Sequence, residues 1–472
     1  MSENENVSEN ENESESDFMM NYRENKKNGD MLSVLGFGCM RYPSTRTGID
    51  LDATERLLTG AVDRGINYFD SAYVYHGGKS ETILGDVIAK HKLREKVKLA
   101  TKLPLFLTRK KEDFDRIFST QLKRLKTDRI DYYLLHMLTG TDSFDRLRAI
   151  GVEEWFAAKK DAGVIGNAGF SYHGGKDGFV KLIDSYDWDF CQIQYNYYDE
   201  NNQAGKSGLE YAASKDVPVV VMEPLRGGGL VDKLPHEAKQ IFREADPNRS
   251  LADWGLSWVW NHPEVNVALS GMNTMEQIEE NVKTASWVVA SHASASLAST
   301  ADAKSGASAP TEAHETADGA PDSVEGASAP TEAHYAVSGV SDSAGGAGFL
   351  SNSELELFDR VKQAMRGSVK IACTGCSYCM PCPSGVDIPV CFSYYNDISI
   401  NGKTSARFGY FQNSGFISKK PACASLCTQC GKCEKLCPQG IPIRERMKEV
   451  EKSFEPLFVK FIGSVARRFV RM

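Results

Sequence analysis

Val97-Lys98-Leu99-Ala100-Thr101-Lys102 and Ile130-Asp131-Tyr132-Tyr133-Leu134-Leu135-His136 are two short, mostly apolar runs, each ending on an ionisable side chain. Residues 111–125 between them read as a helix. Runs this short, rich in apolar residues, suit strands covered on both faces. Strand, helix, strand is the unit from which parallel sheets are assembled. The alternation continues outward in both directions. Strand candidates lie at 32–38, 66–70, 97–102, 130–136, 164–171, 190–195, 217–222 and 265–270. Helical stretches include 52–64, 80–90, 111–125, 152–162 and 207–215. Asn28-Gly29 signals a hairpin at the start of the region. Eight strands alternating with helices over roughly 260 residues are the pattern of an α/β fold of the (β/α)8 TIM barrel type. A doubly wound open sheet would want a glycine-rich turn after its first strand. Gly36-Phe37-Gly38-Cys39-Met40-Arg41 lacks the third glycine and a following helix.

Chemistry in such a barrel sits at the C-terminal ends of the strands. Asp70 ends the second strand, and Tyr75 follows in Asp-Ser-Ala-Tyr-Val-Tyr. Lys102 ends the third strand and His136 the fourth. Singly, each has a bland reading: a loop cap, a surface charge, a satisfied core histidine. Four such residues at successive strand ends of one barrel form a set suited to moving protons.

Farther along, Cys427-x2-Cys430-x2-Cys433-x3-Cys437-Pro438 is the thiolate run that wraps a cubane iron–sulfur cluster. A partner run precedes it: Cys373-x2-Cys376-x2-Cys379-x2-Cys382-Pro383. The cysteine before proline commonly ligates the other cluster, so the two runs complement one another in a two-[4Fe-4S], ferredoxin-like module. A zinc ribbon would space its cysteine pairs more widely and has no need of the Cys-Pro. Cys382 follows its neighbour by two residues where the common pattern has three, so Cys391 and Cys423 are potential substitutes for it. Cys39 and Cys191 lie in apolar strand patterns and read as core thiols.

Composition is consistent with a redox protein of the cytoplasm. Iron-bound thiolates need a reducing compartment, no apolar run is long enough to span a membrane, and the polar, acidic start is not a secretory signal. The net charge of −8 argues against nucleic-acid binding. Residues 2–17 carry seven acids and no base. Residues 290–348 are rich in Ala, Ser, Gly and Pro and contain GASAPTEAH twice, at 306–314 and 326–334. Neither stretch can bury a core. The expected organisation is a disordered acidic tail (1–20), a barrel (21–287), a disordered linker (288–349), a small, mainly α-helical ferredoxin-like domain (350–455) and a basic amphipathic C-terminal helix (456–472). That helix reads first as packing on its own protein and second as contacting an anionic membrane surface.

The Asp-Ser-Ala-x-x-Tyr run with Asp70 and Tyr75, and the later motifs with Lys102 and His136, resemble the aldo/keto reductase family over residues 31–287. The run Cys-Thr-Gly-Cys-Ser-Tyr-Cys-Met-Pro-Cys-Pro resembles the members fused to a C-terminal 4Fe-4S domain. The resemblance implies hydride transfer between NADPH or NADH and a small-molecule carbonyl or alcohol substrate. It maps the four strand-end residues onto the family's catalytic tetrad. A carbonyl accepting hydride develops charge on oxygen and needs a proton donor. Tyr75 would donate, the Lys102 ammonium would lower its pKa, Asp70 would hold Lys102, and His136 would orient the substrate oxygen.

By the same resemblance, Ser171 and Gln192 would hold the nicotinamide carboxamide, and Met222 stands where the family has a stacking tyrosine. Arg226 with Gly227, Gly228 and Gly229 would face the pyrophosphate, and Gln277 and Asn281 the adenine. Residues 270–281 contain three glutamates and no base, which argues against a strong preference for NADPH. No flavin fingerprint is present, although barrels bind flavin without a short motif. A ferredoxin-type partner would suit the clusters. The reading from another class is a catalytically silent barrel serving as an electron carrier or redox-sensing adaptor.

Overall fold

The computed structural model describes residues 18–45, 48–288, 350–365, 369–414, 416 and 421–459. The expected acidic tail and linker lie outside the described residues except at their ends, as do residues 460–472 of the expected C-terminal helix.

A hairpin of β1 (Tyr22–Asn25) and β2 (Asp30–Ser33), turning at Asn28-Gly29, opens the fold. Strand β3 (Leu35–Gly38) follows, then a two-residue hairpin of β4 (Ser44–Thr45) and β5 (Gly48–Ile49). The remaining strands are β6 (Tyr68–Asp70), β7 (Lys98–Pro104), β8 (Ile130–Leu138) and β9 (Ile165–Tyr172). They continue with β10 (Phe190–Gln194), β11 (Val219–Met222) and β12 (Val265–Ser270). Strands β3 and β6 to β12 close a parallel barrel in the order β10-β11-β12-β3-β6-β7-β8-β9. The expected first strand, 32–38, divides in two. Leu32 belongs to the hairpin and packs with Tyr68, Ala100 and Tyr132, so that the hairpin plugs the barrel's N-terminal end. The Asn25 amide completes the plug, donating to the Tyr132 hydroxyl at 3.2 Å.

Helices cover the outside; helix Leu251–Trp260 is buried from Asp253 to its end, whereas others bury one stripe. Helix Glu112–Leu125 buries Phe114, Ile117, Phe118, Gln121 and Leu125, a spacing of three and four residues. Its first turn holds Glu112, Asp113 and Asp115 and its last Lys123 and Arg124, charges that complement the helix dipole.

Within the barrel, side chains alternate with the two-residue period of a strand. Tyr68, Ala100, Leu134, Phe190 and Val220 fill the interior. Two residues farther along the same strands come Asp70, Lys102, His136, Gln192 and Met222, which places them at the C-terminal mouth.

The helix Asn352–Met365, grouped with the cluster segment in the sequence, joins the barrel core instead. Phe358 sits among Tyr197, Phe242, Trp254 and Trp258. The cysteine-rich segment has its own core, built on helix Ile388–Asn413, which is broken at Gly402, and helix Ile443–Phe454. Among the described residues, no helix is long and apolar enough to cross a membrane.

Candidate active site at the barrel mouth

The four strand-end residues meet. The buried Lys102 ammonium pairs with the Asp70 carboxylate, donates to the Ser71 carbonyl at 2.9 Å and reaches the Tyr75 hydroxyl at 3.4 Å. Burial pushes Asp70 above and Lys102 below their ordinary values, and each partner's charge opposes that push. Gln192 secures the other Asp70 oxygen with a hydrogen bond of 3.1 Å. Burial holds the His136 imidazole neutral, well below its usual range, and Lys102 and His173 act in the same direction. Tyr75 departs from expectation: its pKa stands well above the usual phenol value, not below it. Burial is the main cause, and Tyr378 and Asp70 add to it. Tyr75 is therefore held as a hydroxyl, the form that donates a proton.

A cavity of about 360 Å³, partly open to solvent, reaches Asp70 and Tyr75. Of the residues expected at the cofactor, Met222, Gln277 and Asn281 line it. Ser171 and Gln192 are buried and do not line it. The Ser171 hydroxyl accepts from the Met137 amide at 2.9 Å and keeps its own proton to donate. The Gln192 side-chain carbonyl is buried without a partner, the group that a carboxamide N–H would satisfy.

Arg226 is not brought to the cavity. Its guanidinium pairs with Asp199 at 3.0 Å and lies over the Tyr198 ring, a buried arrangement that satisfies the charge away from any phosphate. Gly227 and Gly228 do reach the cavity wall. A Cβ on Gly227 would come within 2.5 Å of the Thr374 carbonyl and 2.6 Å of the Arg41 guanidinium, and its φ of +64° also favours glycine.

Several residues at the mouth were not singled out from the sequence. Arg41 lines the cavity beside Gly271, three residues past the end of β3. Glu223 directly follows β11 and His173 directly follows β9. Burial pushes the Glu223 carboxyl up to about 7; one oxygen accepts from the Thr374 hydroxyl at 3.0 Å and the other has no partner. Glu223 and His173 could have been found by asking which side chains directly follow a barrel strand. Tyr378 is different. It comes from the cysteine-rich segment, and its hydroxyl lies 2.8 Å from His136 Nε2.

The eight run cysteines form two sets. Cys373, Cys376, Cys379 and Cys437 line one cavity, and Cys382, Cys427, Cys430 and Cys433 line another. Each run thus sends its Cys-Pro cysteine to the other's cavity, Cys382 included despite its short spacing. Cys391 and Cys423 are buried in the core of the segment and line neither cavity. Each set presents four thiolates around a space with apolar walls, Phe392 and Ile441 in one and Val386 and Met447 in the other, which suits an iron–sulfur cluster.

The first set roofs the barrel. The Arg41 guanidinium donates to the Thr374 carbonyl at 3.3 Å, and the Gln439 amide to the Gln194 side chain at 2.6 Å. Gln203 donates to the Pro438 carbonyl at 3.3 Å. Cys376 and Tyr378 are part of the wall of the large cavity.

A family model described as "Aldo/keto reductase family" matches residues 34–299, and one described as "4Fe-4S dicluster domain" matches residues 372–441. "Uncharacterized oxidoreductase YqkF" of Bacillus subtilis (strain 168) is 26% identical over 287 residues, 54% of this chain and 87% of that protein. "Aldo-keto reductase yakc [NADP(+)]" of Schizosaccharomyces pombe is 23% identical over 283 residues, 57% of this chain and 80% of that protein. Among solved structures, the holo form of aldo-keto reductase AKR11C1 from Bacillus halodurans is 25% identical with a TM-score of 0.48, covering 56% of this chain and 90% of that one.

Proposed function

Because the chain belongs to the aldo/keto reductase family, we propose that its barrel transfers hydride between a nicotinamide cofactor and a small aldehyde or ketone, with Tyr75 as the proton donor. The observation that carries this reading is the buried Asp70–Lys102 pair set 3.4 Å from the Tyr75 hydroxyl at the floor of the large cavity. Bound nicotinamide would supply or accept the hydride. Ser171 and the unpartnered Gln192 carbonyl would hold its carboxamide, Met222 would pack against it, and Arg41 would meet its phosphates. Gln277 and Asn281 would contact the nucleotide end, where Glu280 also lines the cavity and disfavours a further phosphate. Tyr75, protonated, gives its proton to the oxygen on which charge develops. Lys102 then stabilises the phenolate left behind, and Asp70 keeps Lys102 charged and in place. Neutral His136 fixes the oxygen by a hydrogen bond.

The same reading assigns one [4Fe-4S] cluster to each cysteine set. The set with Cys430 is the more accessible and would face a ferredoxin-type partner. Thiolate-held iron would suit a reducing compartment such as the cytoplasm. Tyr75→Phe tests the barrel reading. Carbonyl-dependent nicotinamide oxidation should fall by at least about 100-fold, with nicotinamide affinity within about threefold of wild type. Near-normal turnover in that variant would remove Tyr75 from the reaction.

A further inference from the structure

The two cysteine loops share one backbone shape. Gly375 and Gln429, each two residues past the first cysteine of its run, have φ of +68° and +60°. Ser377 and Gly431, each directly after the second cysteine, have φ of +62° and +73°. Between the second and third cysteines, Tyr378 of one loop therefore matches Lys432 of the other. Lys432 is exposed, so a loop of this shape does not require an aromatic ring there. The ring is explained by the barrel instead.

Tyr378 enters the mouth over the tetrad. Its hydroxyl is 2.8 Å from His136 Nε2, and its ring stands edge-on to the rings of His136 and His173 at 5.6 and 6.4 Å. It also lies near enough to Tyr75 to help raise that phenol's pKa. The large cavity is lined by Tyr378 and Cys376 but not by His136. The phenol thus separates the imidazole from the open space, with its oxygen between the two groups that would bind a reacting oxygen.

We propose that Tyr378 is a specificity-determining residue of the barrel site: its phenol holds the position of the reacting oxygen, and a substrate carbonyl binds by displacing it. This rests on the hydride-transfer reading, because Tyr75 and His136 define that position. A hydroxyl donates and accepts as the substrate alcohol would, so the tetrad is satisfied until a carbonyl competes. The competitor must offer an oxygen to both Tyr75 and His136 and fit beneath the cysteine loop, which favours a small carbonyl. Tyr378 lies between Cys376 and Cys379, so displacing it alters the surroundings of the first cluster.

The test uses the full-length, cluster-loaded protein with oxidised nicotinamide bound, and acetate as the probe, a small carboxylate able to accept from Tyr75 and His136. Calorimetric titration compares wild type with Tyr378→Phe, which keeps the ring, and Tyr378→Ala, which removes it. Acetate should bind about threefold tighter in Tyr378→Phe and about tenfold tighter in Tyr378→Ala, with nicotinamide affinity unchanged within about threefold. In reduced wild type, saturating acetate should change the electron paramagnetic resonance spectrum of the cluster. Acetate affinity that is unchanged or weaker in a variant with full iron content overturns the proposal. Should Tyr378→Ala lose iron, Tyr378→Phe and the wild-type spectrum decide, an unaltered spectrum counting against displacement. Failure of all three proteins to oxidise reduced nicotinamide with any carbonyl would overturn the hydride-transfer reading alone, since acetate binding would still report on Tyr378.

Discussion

His173 and His136 lie buried at the barrel mouth, and both imidazoles are held below their ordinary pKa, His173 at about 4. The unfolded chain takes up a proton at each near the ordinary value of 6.5, whereas the folded chain does not. A base with a depressed pKa contributes nothing against folding above 6.5, and its cost grows as pH falls from 6.5 toward about 4. Between pH 6.5 and 5.5 the buried His173 should lower stability by about 1 kcal/mol, so wild type should lose about 1 kcal/mol more than His173→Phe over that interval. Urea unfolding at the two pH values measures this, and equal losses in both proteins would show that His173 titrates freely in the fold. Much of this chemistry was legible residue by residue. Asp70, Lys102 and His136 could be read because each closes an apolar run, although β7 and β8 continue two residues past Lys102 and His136, and Tyr75 because it follows at a fixed interval. The direction of the Tyr75 shift could not be read, since it depends on burial under a ring supplied from 303 positions later in the chain.

The elements were legible where periodicity alone determines them. β12 matches its expected bounds to the residue, whereas the first expected strand divided because Leu32 plugs the barrel floor. Helix Asn352–Met365 has an apolar stripe of Phe358, Val361 and Met365. A stripe shows that a helix is buried without saying against which core, and nearness to the cysteines pointed to the wrong one. The cysteine loops carry a prediction at this scale, because sequence left open whether Cys382, Cys391 or Cys423 completes a site. Cys382→Ser removes one of four thiolates from the set with Cys427, so iron should fall from about eight to about four per chain. Cys391→Ala should keep full iron and lose about 1 kcal/mol of stability from a small buried vacancy. Iron and sulfide analysis of the two variants decides, and the reverse pattern would make Cys391 the ligand.

Across the whole molecule, two cores of unequal size meet at the barrel mouth. The barrel core draws on all eight barrel helix–strand units and on helix Asn352–Met365, whereas the cysteine-rich segment has a small core interleaved with the thiolate loops. A core that small depends on its metal, because cluster binding and folding of the loops are one equilibrium. The junction is polar and made largely by cluster-loop residues: Thr374 on Glu223, Tyr378 on His136, Pro438 and Gln439 on Gln203 and Gln194. Loss of the first cluster should therefore free the roof while leaving the barrel folded. Anaerobic chelation of iron is expected to give an apoprotein with near-native far-UV circular dichroism and one remaining cooperative thermal transition, that of the barrel. Limited proteolysis should then cut within residues 373–382, which the loaded protein protects. Loss of the barrel transition together with the iron would show that the two cores fold as a single unit. Protection of residues 373–382 in the apoprotein would show that the roof is held by its barrel contacts alone.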